Sequence, residues 1–420
     1  MGRVKVGVVG LGGIFYGWGG YSGHLPAYPK LEDAEVVSLC DVNPKSVEKA
    51  AFWLKKTYEE EAKRMEEEGD KEKAETLREG AKGIRTYLDY NEMFEKEELD
   101  LVDIMTPVKF HLPVAKRALE KGINVICEKP IARNWLEAIE IVEAVEKSGK
   151  FFQYAENNIY SLSWYNLRKF LLSGIIGEPV AIFLPMAIGE PGGLTSFYWD
   201  PKISGGGSLI DMGVHGITSS WFLLGFDAKP VRVKSAEPDG IGIKMPERIV
   251  DGIYQKVKSE DEAHVLIEFE RENGWTTVFI EASWSYGDSC PTSVIIGTKG
   301  SIEIGWEKMI LTDPYGNRKE IPYWYPSFLH RIRFPEPGGY FGELQNIVKC
   351  IVGGIKPSCN EKIGAESLAI VDTAYLSEIK GRKPVSLEEF KKYALEIKER
   401  EGEKAFEVLV EELAKWRCCE

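Results

Sequence analysis

The sequence predicts two successive folds: a doubly wound α/β domain with a parallel sheet, then an α+β domain with a large mixed or antiparallel sheet. Three observations carry that expectation. Residues 1–156 alternate short, fully apolar strand-like runs with helical periods, the pattern of a parallel sheet covered by helices on both faces. After Glu156 strand follows strand, joined by short turns that contain glycine. The 420 residues, 44% hydrophobic and 28% charged, supply apolar material for more than one core and make disorder or a fibrous structure an unsuitable reading.

In order along the chain, Val4–Val9, Glu35–Cys40, Leu101–Met105, Asn124–Cys127 and Phe151–Ala155 read as strands of the first domain. Between them Pro44–Arg78, His111–Lys121 and Trp135–Lys147 read as helices, the last two closed by Gly122 and Gly149. The Glu/Lys-rich stretch around 55–85 carries many opposite charges four residues apart and reads as a solvated helical insertion. In the second domain, 157–420, the expected strands are Val180–Phe183, His264–Phe269, Thr276–Ala282, Val294–Ile296 and Ser301–Ile304. Asn273-Gly274 and Lys299-Gly300 mark hairpins there. Gly342–Val352, Gly364–Lys380 and Leu387–Lys415 return to a helical period.

A net charge of −13 disfavours nucleic acid and anionic membrane as partners, although a basic pocket for a small anion fits inside an acidic protein. The N-terminal apolar run is too short for a membrane span and lacks a signal-peptide cleavage pattern. Seven scattered cysteines without C-x-x-C spacing suggest neither a disulfide framework nor a zinc ribbon, so a reducing cytoplasm is the expected setting.

Directly after the first strand comes Gly10-Leu11-Gly12-Gly13-Ile14, where glycines permit a tight turn and let a pyrophosphate approach the backbone. The third glycine of G-x-G-x-x-G falls on Phe15, and a glycine- and aromatic-rich loop follows to Gly23. Asp41 closes the second strand, where a carboxylate can accept hydrogen bonds from an adenosine ribose; it lies beyond the usual ~20-residue spacing, which the extra loop explains. A carboxylate there repels a 2′-phosphate, so NAD is expected over NADP.

Two further motifs carry chemistry. Cys127-Glu128-Lys129-Pro130 sits at the carboxyl edge of the fourth strand, the edge at which open parallel sheets bind ligands. Ser204-Gly205-Gly206-Gly207 leads to Asp211 and His215, four apart and therefore on one face of a helix. An imidazole suits the general base that takes a hydroxyl proton while hydride leaves. Asp211 can orient that imidazole, and Lys129 can hold the hydroxyl oxygen and stabilise alkoxide charge. No third metal-type ligand accompanies Asp211 and His215, so no metal is expected. Phe197-Tyr198-Trp199 offers a platform for a sugar ring, and Tyr198, Trp199 and Asn157 are the candidates for contacting substrate.

With these motifs in this order, the chain resembles the glucose–fructose oxidoreductase / inositol dehydrogenase family, also called Gfo/Idh/MocA. The resemblance runs through the glycine turn, His24-Leu25-Pro26-Ala27-Tyr28, Thr106-Pro107-Val108-Lys109-Phe110-His111, Glu128-Lys129-Pro130, Gly174-Ile175-Ile176-Gly177-Glu178-Pro179, Trp199-Asp200-Pro201, the triple glycine with Asp211 and His215, and Gly297-Thr298-Lys299-Gly300. It implies an N-terminal Rossmann domain and a C-terminal open-faced sheet whose exposed face pairs subunits into a homodimer or homotetramer. It also implies that Lys129, Asp211 and His215 are the catalytic set. The expected cofactor contacts are Gly10, Gly12, Gly13, Ile14, Asp41, Thr106, Pro107, His111, Glu128 and Lys129. The expected activity is NAD-dependent oxidation at a hydroxyl carbon of a sugar, sugar acid or cyclic polyol. A glycosidase using NAD transiently and a non-catalytic dinucleotide-sensing protein are the alternatives.

Overall fold

The structure, a computed structural model, describes residues 2–17, 23–188, 196–236, 240–250, 253–285, 292–305, 308–323 and 339–418. The middle of the glycine-aromatic loop, 18–22, lies outside the described residues. The chain forms two compact units, one of Met1–Glu128, Ile141–Ser161 and Tyr325–Glu361, the other of Lys129–Glu140, Leu162–Trp324 and Lys362–Glu420.

The first unit is built on a parallel sheet. Its strands are β1 (Val4–Val9), β2 (Ala34–Cys40), β3 (Arg85–Tyr87), β4 (Leu101–Ile104), β5 (Asn124–Glu128) and β6 (Phe152–Ala155), in the spatial order β3-β2-β1-β4-β5-β6. That order places the reversal of winding between β1 and β4, so the loops leaving their carboxyl ends open a crevice there. β4 is buried along its whole length, as a strand packed on both faces must be. β3 was not anticipated: Arg85, Thr86 and Tyr87 at the sheet edge carry little apolar signal.

The charged insertion departs from its expectation as one solvated helix. It forms two helices, Pro44–Glu67 and Lys71–Lys82, which pack against each other after the chain reverses at Glu68–Asp70. Leu54, Tyr58, Ala62, Met65, Ala74 and Leu77 are buried. Most charges sit on the other faces, with Arg78 paired to Glu59 and Glu66 and Arg64 paired to Glu68 and to the buried Glu61. Net polarity concealed a regular apolar stripe.

In the second unit the main sheet is mixed. Its strands are β7 (Pro179–Ala187), β8 (Lys229–Ser235), β9 (Ile241–Gly242), β12 (Glu262–Arg271), β13 (Gly274–Ser283), β14 (Ser293–Gly297), β15 (Gly300–Ile304), β16 (Lys308–Thr312), β17 (Arg318–Pro322) and β18 (Val385–Ser386). They run in the order β17-β16-β15-β14-β7-β13-β12-β8-β18, with β9 paired to β12. Strands β10 (Glu247–Val250) and β11 (Ile253–Lys256) form a separate antiparallel ribbon. Within this sheet only β7 and β13 pair in parallel among the described residues. Both expected hairpins form, at Arg271/Gly274 and Gly297/Gly300. Strands β8, β16 and β17 escaped the sequence reading: charged residues break up β8 and β17, and β16 is a five-residue run that opens on Lys308.

One face of this sheet is covered by the helix Val214–Leu224: a methyl group on its Gly216 would come within 2.9 Å of Met186 and 3.0 Å of Ile280. The helix Glu361–Ile379 joins it through a buried Thr218–Ser367 hydroxyl bond of 2.9 Å. The tail expected as one helix breaks into Leu387–Glu401 and Ala405–Leu413 with a tight turn at Gly402–Lys404. Asn134 Nδ2 donates to the Phe406 carbonyl at 3.0 Å, so the tail grips the segment that follows Lys129.

Candidate active site

The glycine turn at the end of β1 is shaped by its neighbours. Gly10 has φ +92, and a side chain there would lie 2.6 Å from the Met105 carbonyl, so the position excludes other residues twice over. Above Gly12 and Gly13 the reverse holds: an added methyl would meet nothing within 4 Å. Asp41 reaches back from the end of β2. Its Oδ2 accepts from the Leu11 amide at 2.9 Å and its Oδ1 from the Asn43 amide at 2.8 Å. The carboxylate thus braces the turn from the strand-end position expected of a ribose ligand.

After this turn the usual long helix is replaced by a single turn, Gly13–Tyr16. Phe15, in the place of the third glycine, is fully buried and packs edge-on to Tyr16, with Tyr28 beyond it. At the end of β4, His111 Nε2 is 2.8 Å from the Thr106 carbonyl, fixing the loop that contains Pro107. Thr106 Oγ1 is buried and has no hydrogen-bond partner among the described residues. An open glycine turn, a strand-end carboxylate and this orphaned hydroxyl on the crevice loops fit a dinucleotide.

Beside them lies a cluster the sequence did not reveal. His24 is fully buried, with Nδ1 2.6 Å from Asp103 Oδ2 and Nε2 3.2 Å from Glu128 Oε1 and 3.3 Å from Glu343 Oε1. Tyr28 donates to the same Asp103 oxygen at 2.6 Å. Burial disfavours the imidazolium, but Asp103 and the bonds to Glu128 and Glu343 outweigh it and hold the His24 pKa well above its usual value. Burial pushes the Glu343 carboxyl up to about 8, against the opposing pull of His24. Two groups of described residues have metal-type donors within 4.8 Å of one another: this one, and Glu262, His264 and Glu281 on β12 and β13. In the buried group the His24 imidazolium sits between the carboxylates and offsets part of their charge.

The second unit holds the residues expected to do chemistry. Lys129 follows β5 directly, and its peptide bond to Pro130 is cis. Its Nζ donates to Asp211 Oδ1 and to the Asp211 carbonyl, both at 2.8 Å, with each side chain about one-eighth exposed at 12%. Asp211 Oδ2 accepts from Trp284 Nε1 at 3.0 Å. Asp211 lies in a π-helical turn, Leu209–Gly213, that runs straight into the helix Val214–Leu224 bearing the buried His215. Such turns recur at functional sites because they shift side chains off the regular helical register.

Each of the three glycines is required by a different neighbour, Gly205 by its φ of +90 and the Arg133 carbonyl, the other two by Tyr375 and Glu260. A side chain on Gly207 would overlap the Glu260 carbonyl, and one on Gly206 would overlap the Tyr375 hydroxyl. Glu260 Oε1 accepts from the Gly207 amide at 2.8 Å, the Leu209 amide at 3.2 Å and the Tyr375 hydroxyl at 2.5 Å. Burial raises the pKa of Glu260, and these donors work against the rise. Glu260 and Trp284 therefore hold the loop that presents Asp211. Neither carries a motif: Glu260 sits in a run of acidic residues, and Trp284 directly follows a strand as an ordinary core residue would.

Trp199 packs edge-on to Trp284 with ring centroids 5.1 Å apart, and Phe197 stacks on Tyr198 at 4.2 Å. Asn157, the remaining candidate for substrate contact, begins a short helix of the first unit.

Residues 4–156 match the family model described as the oxidoreductase family with an NAD-binding Rossmann fold, and 164–303 match the Gfo/Idh/MocA C-terminal domain. The chain belongs to the Gfo/Idh/MocA family of oxidoreductases. Residues 4–156 are that family's NAD-binding Rossmann domain. Residues of the chain are 32% identical to D-glucoside 3-dehydrogenase of Escherichia coli (strain K12) over 145 residues, 34% of this chain and 40% of that protein. A stretch of 177 residues is 30% identical to glycosyl hydrolase family 109 protein 5 of Phocaeicola vulgatus, covering 42% of this chain and 29% of that one. The chain thus spans under half the length of these two relatives. Among solved structures it is similar to levoglucosan dehydrogenase in complex with NADH, with a TM-score of 0.71 and 21% identity over 92% of this chain and 99% of the other. At that identity the likeness is one of fold. No helix among the described residues is long and apolar enough to cross a membrane.

Proposed function

We propose that the chain is an NAD-dependent dehydrogenase acting on a hydroxyl carbon of a sugar, sugar acid or cyclic polyol. The observation that carries the proposal is Lys129, fixed by two 2.8 Å bonds to Asp211, on the turn that leads into His215. Gly10, Gly12, Gly13, Ile14, Asp41, Thr106, Pro107, His111, Glu128 and Lys129 would hold NAD, which supplies the hydride acceptor. His215 takes the hydroxyl proton as general base, and the ammonium of Lys129 holds the oxygen as alkoxide charge develops. Asp211 orients Lys129 through these bonds, and orientation of the His215 imidazole by Asp211 is part of the same proposal. Tyr198, Trp199 and Asn157 contact the ring of the substrate. The glucoside dehydrogenase relative supports a sugar-type substrate, and the strand-end carboxylate of Asp41 supports NAD over NADP.

A second reading, a glycosidase that oxidises its substrate transiently and regenerates NAD, is favoured by the glycosyl hydrolase relative. One assay separates the two. The protein is incubated with NAD and a panel of sugars, polyols and aryl glycosides while NADH absorbance and aglycone release are followed together. NADH accumulation is expected; aglycone release without it replaces the first reading by the second.

Self-association through the mixed sheet belongs to the same proposal. On the face opposite the helix Val214–Leu224, Phe183 stacks on Phe279 at 4.6 Å, with Ile296 exposed nearby on β14. Light scattering during gel filtration tests it, with a dimer or tetramer expected. A cytoplasmic setting agrees with the free thiols of Cys40, Cys127, Cys350 and Cys359.

A further inference from the structure

We infer that Trp284 is a positioning residue for the reaction, holding the Asp211 carboxylate in the one rotation that keeps Lys129 in place. The inference rests on the proposed roles of Lys129 and Asp211. A carboxylate bonded through one oxygen can turn about its Cβ–Cγ bond; one bonded through both oxygens to two fixed donors cannot. Asp211 is in the second state, with Lys129 Nζ on Oδ1 at 2.8 Å and the Trp284 indole N–H on Oδ2 at 3.0 Å.

The indole is itself immobile. Trp284 is fully buried and packs with Trp199 and Val257. Its backbone N–H donates to the Asp261 carbonyl at 2.8 Å, and its own carbonyl accepts from Arg248 Nη1 at 2.8 Å. Arg248 is pinned in turn by Asp261 Oδ2 at 2.8 Å. A buried indole needs an acceptor for its N–H wherever it packs. Here the acceptor is the carboxylate that orders the lysine, so a residue filling the core also sets the geometry of the site. Hydrogen bonds to a charged group are about twice as strong as neutral ones, which makes this bond the stiffest tether available to a tryptophan.

The test uses the full-length protein with NAD and a sugar that yields NADH. Trp284→Phe keeps an aromatic ring in the core and removes the donor. The expected result is a fall in kcat of about ten- to a hundred-fold, with sugar KM within a few-fold and NAD affinity by calorimetry unchanged. In an Asp211→Ala background the same substitution should cost under about twofold, because no side-chain acceptor is left for the indole to hold. A variant that keeps kcat within twofold while Asp211→Ala is crippled overturns the role of Trp284. Equal losses in both backgrounds overturn it too, since Trp284 would then act through folding alone. Near-normal turnover by Asp211→Ala instead removes the proposed site reading and leaves the indole bond as a separate observation. Should Trp284→Phe fail to fold, 3-benzothienylalanine at position 284, with sulfur in place of N–H in an otherwise matching ring, gives the same reading.

Discussion

Two ionic clusters, one in each unit, are built from similar groups and differ in access. In the first unit His24, Asp103 and Glu343 are sealed from water, and Glu128 nearly so. In the second, Lys129 and Asp211 each keep part of their surface open. A sealed cluster cannot exchange charge with a passing substrate and must balance itself, whereas an open pair can trade one bond for a bond to an alkoxide. The same chemistry thus serves as a brace in one place and as machinery in the other, and exposure decides which. This contrast is open to direct attack.

The largest effect should come from the open pair. Lys129→Ala is expected to lower kcat by about a thousand-fold while NAD affinity falls far less, because oxyanion-type stabilisation is lost but the other proposed cofactor contacts remain. Steady-state rates beside a calorimetric NAD titration check it, and near-normal turnover would remove Lys129 from the reaction.

Next in size is a change that touches no reacting group. Gly207→Ala forces a methyl into the Glu260 carbonyl and should destabilise the second unit by about 1–3 kcal/mol or more, read by denaturant unfolding. Unchanged stability would mean that the glycine is there for a ligand and not for packing.

The sealed cluster predicts a pH dependence of stability. Glu343 has its pKa raised to about 8, so at intermediate pH the folded state keeps a proton that the unfolded carboxyl has already released. Stability therefore falls as pH rises from the ordinary carboxyl range to about 8. His24, also raised, adds a loss that begins above its unfolded value of about 6.5. Melting temperature should decline between about pH 6 and about pH 8.5, and Glu343→Gln should flatten the slope. A wild-type melting temperature constant over that interval would show that the cluster holds no extra proton.

Smallest is Asp41→Ala, expected to weaken NAD about tenfold and NADP less, since both the ribose acceptor and the brace on Leu11 disappear. Dissociation constants for the two cofactors decide it. Equal losses would assign Asp41 to the turn alone.

The parallel sheet, the glycine turn and the strand end at Lys129 were legible because each leaves a local trace: an apolar run, a glycine pattern, a proline that follows the strand. The bonds from Lys129 to Asp211 were not, since the spacing pointed from Asp211 to His215. What stayed hidden depends on distant partners. Glu260 gives no sign that three donors converge on it, Trp284 reads as core, and Glu343 lies on a helix whose partner His24 is near the other end of the chain. The buried stripe of the charged hairpin was obscured for a different reason, its high average polarity.

The helix Tyr340–Gly353, which supplies Glu343, also governs when the protein can be finished. It is part of the first unit although most of the second unit is encoded before it. A ribosome must therefore pass residue 343 before His24 and Glu128 gain their third partner, and until then the Rossmann sheet waits with an incomplete charge cluster. Chain segments that close over such long separations pay their loop entropy late. A fragment ending near residue 156 would carry every cofactor contact proposed above and lack the carboxyl group that completes the buried cluster around His24. The domain that looks most self-sufficient in the sequence is thus the one that depends on the far end of its own chain.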